Sequence, residues 1–224
     1  MRKCSVTLKS EMSENSIRAI LNLIKECNPN TRYLEIGTAA GGTLVELIKY
    51  RNTLKAGKAD FIVVDPLKYF ANQFEVVSRN LKDNNIDQKA VRFFKMSSRE
   101  SFLNHRKEVV RDGLDFILID GNHKINYVMR DLCWGANLNT NGFLLIHDFS
   151  DRFPGVYRAV NRFIAKNANY QIVDLTDTLL ILRKKMASDS TEVSNLDLLN
   201  SNLWAIFYQL KASFIKRRNL LLGY

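Results

Sequence analysis

The strongest constraint in this sequence is a repeated form of punctuation. Five short apolar runs each stop on a polar residue or a glycine. Tyr33-Leu34-Glu35-Ile36 ends at Gly37, and Phe61-Ile62-Val63-Val64 ends at Asp65-Pro66. Val91-Arg92-Phe93-Phe94-Lys95 is followed by Ser97 and Ser98, Leu114 to Ile119 leads into Asp120, and Phe143 to Ile146 leads into His147-Asp148. Runs this short and this continuous suit strands covered on both faces.

Segments of helical character separate them. Ser13-Glu14 opens a helix to about Cys27, with Ile17, Ile20, Leu21 and Ile24 on one face, and Asn28-Pro29-Asn30 breaks it. Further helices are expected from Thr43, over Phe70–Lys82, over Arg99–Val110, over Ile125–Leu138, and over Val156–Lys166 behind Pro154. Asn141-Gly142 reads as a turn into the fifth strand. Gln171–Asp174 and Thr178–Arg183 read as a closing hairpin, turning at Leu175-Thr176-Asp177. The expected fold is therefore α/β: a Rossmann-like, doubly wound, mostly parallel seven-stranded sheet with an antiparallel C-terminal hairpin, plus a C-terminal helical tail.

By this reading residues 1–13 are a loose leader, 14–185 one domain, 186–198 a polar linker and 199–224 an amphipathic basic helix. Leu199, Leu203, Ile206, Phe207, Leu210 and Phe214 form its stripe, and residues 203–224 carry Lys211, Lys216, Arg217 and Arg218 without an acid. Such a helix docks on its own domain, forms a homodimer contact, or lies on a membrane surface as a peripheral anchor. Cys4, Cys27 and Cys133 are odd in number and widely spaced, which argues against a disulfide framework or zinc site and for a reducing, cytoplasmic setting. The polar start is expected to carry no secretory signal. The net charge of +10 is spread along the chain, as on a solvated basic surface.

In an open parallel sheet, ligands bind at the carboxyl ends of the strands, and here the chemistry-bearing residues share that location. The Gly37–Gly42 loop permits a tight turn and close ligand approach. A dinucleotide fingerprint would want glycine at position 39, where this chain has Ala39; that counts against a pyrophosphate but not against a ligand lacking one. Asp65 is placed to accept hydrogen bonds from ribose hydroxyls, or to cap a turn.

Leu34-Glu35-Ile36-Gly37-Thr38-Ala39-Ala40-Gly41-Gly42-Thr43 resembles the first motif of class I S-adenosylmethionine-dependent methyltransferases, closest to the catechol-type and macrocin or sugar O-methyltransferases. Leu114 to His123, continued by Arg130-Asp131-Leu132, resembles that group's fourth-strand signature, and Asn141 to Asp148 its fifth strand. The resemblance implies S-adenosyl-L-methionine as cofactor, with Gly37, Thr38 and Gly41 along its amino acid portion and Thr43 near the carboxylate. It also implies Glu35 supporting the loop or the amine, Asp65 on the ribose and Ser98 at the adenine. Glycine is common where Ala39 stands.

Asp120 and Asp148 would end adjacent strands and could hold Mg²⁺ or Mn²⁺ beside a substrate hydroxyl. Metal-dependent relatives carry Asp-Asn or Asp-Asp there, whereas this chain has His147-Asp148; imidazole suits Mn²⁺, Fe²⁺ or Zn²⁺ better than Mg²⁺. The metal set is Asp120, His147 and Asp148, or no metal binds. Catechol-type relatives place a basic lysine at the offset of His123, so His123 is a base or merely orients the loop, with Lys124 as fallback.

The activity this implies is O-methylation of a sugar, glycan precursor or other small molecule. The alternatives are a non-catalytic methyltransferase-like binding protein and a nicotinamide-dependent oxidoreductase. Nucleic acid is disfavoured as a substrate, because Asp120-Gly121-Asn122-His123 lacks the Pro-Pro-aromatic grip on a flipped base.

Overall fold

A computed structural model describes residues 8–27, 30–54, 57–186 and 192–221. Cys4, the leader through residue 7, the Asn28-Pro29 break and linker positions 187–191 lie outside them, as do the side chains of Lys216, Arg217 and Arg218.

The alternating chain gives α1 (Glu14–Glu26), β1 (Arg32–Ile36), α2 (Gly42–Thr53), β2 (Asp60–Val64), α3 (Gln73–Asp83) and β3 (Val91–Phe94). It continues through α4 (Ser98–Asn104), α5 (Arg106–Val110), β4 (Leu114–Ile119), α6 (Ile125–Asp131), β5 (Leu138–Ile146) and α7 (Pro154–Lys166). The hairpin β6 (Tyr170–Thr176) and β7 (Leu179–Lys184) precedes α8 (Asn195–Leu221). The sheet has seven strands in the order β3-β2-β1-β4-β5-β7-β6. The first five are parallel, and β7 runs antiparallel between β5 and β6.

Side-chain alternation sends successive residues to opposite faces. Leu34, Ile62, Ile117 and Leu144 pack beneath α6 and α7. Tyr33, Phe61, Phe116 and Leu145 pack beneath α1, α2 and α3. Two covered faces explain why the strands read as nearly unbroken apolar runs. Chain direction across the sheet reverses between β1 and β4, which opens a crevice at their carboxyl ends.

Several expected boundaries move. Leu67 and Asn72 have φ of 55° and 56°, so the chain after β2 loops before α3 begins at Gln73 rather than Phe70. His105 interrupts the expected Arg99–Val110 helix and divides it into α4 and α5. The expected Ile125–Leu138 helix is α-helical only to Asp131 and tightens into a 3₁₀ segment through Asn137. β5 starts at Leu138, and its pairing jumps from Leu114↔Leu138 to Phe116↔Phe143; residues 139–142 bulge out, with Asn141 at φ 67°. The hairpin turns at Asp177-Thr178, one step later than expected.

Part of the leader is packed rather than loose. Met12 is buried, the Leu8 carbonyl accepts from Asn80, and Ser10 bonds Thr43. The expected linker also ends early: Glu192 and Val193 are buried, and α8 begins at Asn195 instead of Leu199. Among the described residues no helix is long and apolar enough to cross a membrane.

Candidate active site

Gly37 leaves β1 at φ 84°, a left-handed conformation that L side chains rarely adopt. A β-carbon there would collide with the Asp120 carbonyl, so this glycine lets the loop after β1 touch the loop after β4. Ala39, at φ 43°, also sits in the left-handed region, where a methyl is tolerated at some cost. Gln73 donates to the Ala39 carbonyl at 2.9 Å, and Asn80 donates to the Ala40 carbonyl at 2.9 Å. These two amides hold the loop's shape. Sequence reading missed them because nothing in their own segment marks them apart from other polar helix residues.

Three carboxylates gather around this loop. Glu35 is buried and accepts from the Thr38 hydroxyl at 3.2 Å. Burial pushes its pKa well above the ordinary value, and the charges of Asp120 and Asp65 push the same way against the Thr38 hydrogen bond. Thr38 bonds both Glu35 and Asp65, and the Asp120 backbone meets the loop at Gly37, so the three acids border one loop. Asp65 is 7% exposed and accepts from the Thr38 and Leu67 backbone N–H groups at 2.9 and 2.5 Å. It clamps the first loop to the second, so a ribose would share or displace those bonds.

Thr43 is hydrogen-bonded to Ser10 at 2.7 Å, and a side chain at Gly42 would run into Lys9. The segment of residues 8–12 therefore closes over the start of α2. The Ser98 hydroxyl accepts from Trp134 Nε1 at 3.0 Å and bonds the buried Asp131. Ser97 caps α4.

Asp131 was noted in sequence only as part of a signature. Its pKa is pushed up to about 7 by burial, against the Ser98 hydrogen bond and the Arg130 charge. The folded state thus favours the protonated acid. Stability is greatest below the unfolded carboxyl value of 3.8, declines as pH rises toward about 7, and then levels off. Asp131→Asn is expected to raise the melting temperature at pH 8 and to have no advantage below pH 4, as a pH series of thermal melts would show.

Asp120, His147 and Asp148 meet at the ends of β4 and β5, with ligand atoms within 4.8 Å of one another. His147 Nδ1 lies 3.0 Å from Asp120 and 3.5 Å from Asp148. Burial opposes a charged ring, but the bonds to both acids outweigh it and lift His147 to about 10. His123 Nε2 lies 2.8 Å from Asp148 Oδ2, and its ring centre is 4.4 Å from that of Phe153. Burial would raise the Asp148 pKa; the hydrogen bonds from His123 and His147 hold it well below the usual carboxylate range. Asp148 has φ 58°, an uncommon backbone state that recurs at functional sites. Lys124 is exposed at the start of α6.

Two carboxylates and an imidazole fit a divalent cation of the Mn²⁺, Fe²⁺ or Zn²⁺ type, provided His147 surrenders its proton and the three close inward slightly. A cavity of about 780 Å³ opens at the opposite end of the sheet, lined by Arg32, Asp60, Lys89 and Arg92 among others, and has no part in this cluster.

A family model described as a methyltransferase domain matches residues 34–149. A relative from Acanthamoeba polyphaga mimivirus, described as uncharacterized protein R132, is 30% identical over 136 residues, which is 59% of this chain and 59% of that protein. The matched region thus spans about three fifths of that relative's length. Among solved structures, the O-methyltransferase NovP matches with a TM-score of 0.62 at 15% identity, covering 77% of this chain and 79% of its own. CalS11, a TDP-rhamnose 3'-O-methyltransferase of calicheamicin biosynthesis, matches with a TM-score of 0.57 at 12% identity, covering 75% and 77%. An O-methyltransferase from Bacillus cereus in complex with SAH gives 0.56 at 14% identity, covering 79% and 83%. At such identities these likenesses establish the fold.

Proposed function

This chain belongs to the methyltransferase domain family, in the class I S-adenosylmethionine-dependent fold, and on that premise we propose that it methylates a hydroxyl of a sugar, glycan precursor or other small molecule. The observation that carries this reading is the convergence of Glu35, Asp65 and Asp120 on the glycine loop, beside His123 and Asp148.

Three acids bordering one loop suit a ligand bearing sulfonium and ammonium charges. It repels the pyrophosphate of a nicotinamide dinucleotide, as does the Ala39 methyl. The loop residues Gly37, Thr38 and Gly41 would line the amino acid portion, Glu35 would face the amine and Asp65 the ribose. S-adenosylmethionine, bound there, supplies an electrophilic methyl carbon.

At the acceptor end, His123 donates its Nε2 proton to Asp148 and keeps Nδ1 as an acceptor. With that cofactor bound, Nδ1 would take the hydroxyl proton while the oxygen gains the methyl carbon and the carbon–sulfur bond breaks with its electron pair left on sulfur, and Asp148 would steady the resulting imidazolium. Collinear placement of oxygen, carbon and sulfur supplies much of the acceleration. The clustering of Asp120, His147 and Asp148 favours a second version of the same chemistry. In it these three residues would hold a divalent cation, which would lower the pKa of the hydroxyl. CalS11, described as a sugar methyltransferase, supports the sugar end of the substrate range. Cys27 and Cys133 are free, and burial, then the charges of Asp115 and Asp131 respectively, raises each to about 12.

Calorimetry tests the cofactor half. S-adenosylmethionine should bind and NAD should not, and Asp65→Ala, checked by thermal melting, should weaken binding about tenfold or more, the worth of lost charged hydrogen bonds. Wild-type affinity in that variant would refute the ribose assignment. Transfer of labelled methyl into hydroxylated acceptors separates an enzyme from a non-catalytic binder.

A further inference from the structure

The long C-terminal helix has two apolar faces, and only one is covered. Leu198, Ala205 and Tyr208 pack against the core beside buried Ser201. Asp197 bonds Arg162 and Lys166 of α7 at 2.7 and 2.8 Å, and Asn202 meets Arg130 of α6 at 3.3 Å. The opposite face carries Leu199, Leu203, Ile206, Phe207, Leu210 and Phe214, each between 53% and 70% exposed. The sequence leaves this stripe open to docking on its own domain, a homodimer contact or a membrane surface; in the structure a different face docks on the domain, and this stripe points outward.

At 1.5 Å per residue the stripe runs about 22 Å along α8. An apolar surface that long and contiguous marks an interaction site on a protein otherwise rich in charge. The surrounding charge selects the occupant. From Leu198 onward the sequence holds Lys211, Lys216, Arg217 and Arg218 and no acid. Arg158 of α7 lies 4.6 Å from the Trp204 ring centre, adding another cation beside the stripe. Two copies of α8 laid face to face would offer these cations no acidic partner, because Asp197 is already held by Arg162 and Lys166. A lipid surface rich in phosphate offers both an apolar interior and counter-charge.

We propose that α8 docks this domain on an anionic membrane surface, with the Leu203–Leu210 stripe in the interface and the basic end among the headgroups. The helix runs antiparallel to α7: Asp197 meets Arg162 and Lys166, whereas Trp204 and Tyr208 meet Arg158. It therefore heads toward the start of α7, where Gly155 abuts the His123 carbonyl. The part of the stripe level with Trp204 and Tyr208 thus lies toward the end of α7 that meets the candidate active site.

Flotation of the full chain with phosphatidylcholine vesicles, with and without phosphatidylserine, tests this. Binding is expected only when phosphatidylserine is present, and is expected to fall as salt rises. Leu203→Glu with Leu210→Glu alters no packed residue and should weaken vesicle binding about a hundredfold at an unchanged melting temperature. Failure to bind either vesicle, or equal binding to both, would overturn the proposal. So would a dimer in light scattering that the double variant dissolves, which would assign the stripe to a second copy.

Discussion

Asp148→Ala is expected to leave S-adenosylmethionine affinity within about twofold while cutting turnover about a thousandfold. The separation follows from position. Asp148 ends β5, across the rim from the Glu35 and Asp65 clamp, and bonds none of the residues that shape the Gly37–Gly41 loop. What it does hold is two imidazoles, His123 at 2.8 Å and His147 at 3.5 Å. Alanine releases both at once. If His123 is the base, the ring loses its orientation and its counter-charge; if a cation is held, it loses one of three ligands. Asp148→Asn separates the two versions, since the amide preserves shape without the charge. A wild-type enzyme silenced by chelator and restored by Mn²⁺ supports the cation version; insensitivity to chelator supports the base acting alone. Calorimetry for affinity and single-turnover rates for chemistry make the measurement. Turnover in Asp148→Ala close to that of the wild type would remove this residue from the mechanism under either version.

The strand ends were legible because physics writes them locally. A strand covered on both faces is apolar along most of its length, so the polar residues at its end mark the rim, and this placed Asp65, Asp120 and Asp148 along one edge of the sheet, with Glu35 one residue inside the end of β1. Gly37 was legible for a similar reason: the loop needs a backbone that only glycine adopts freely, with no room for a side chain. What the sequence could not show was which polar groups bind one another. Ser98 looks available for a ligand until Trp134, from the segment after α6, is seen donating to it. Thr43 likewise meets Ser10 from a stretch that reads as a loose leader. The orientation of α8 shows the same limit. Its most hydrophobic stripe is the exposed one, and it docks through Leu198, Ser201, Ala205 and Tyr208, where the small Ser201 and Ala205 sit between two larger anchors. Hydrophobicity ranks residues by size, whereas close helix packing selects for the lack of it.

Lys184→Met is expected to destabilise the protein by about 3–5 kcal/mol, the usual result of stripping the partner from a buried charge. Lys184 and Glu192 have side chains 2% and 0% exposed and meet at 2.8 Å. The Lys184 ammonium also donates to the Gly135 carbonyl at 3.1 Å, and the Tyr170 hydroxyl donates to the other Glu192 oxygen at 2.7 Å. This cluster fastens the chain just ahead of α8 to the hairpin strand β7 and to the 3₁₀ segment after α6. Removing the lysine leaves the buried Glu192 without its counter-charge, and the chain around residue 192 should let go before the sheet melts. Hydrogen exchange would then show protection lost in α8 while β1 and β4 keep theirs. The double variant Lys184→Met with Glu192→Leu should recover most of the loss, because no buried charge remains. The Tyr170 hydroxyl lies 3.0 Å from the Gly135 carbonyl and can turn to satisfy it once both ions are gone. A single variant as stable as the wild type would show that the pair contributes nothing to fastening α8. A double variant no better than the single one would place the cost in lost packing around the Lys184 stem rather than in an unpaired charge.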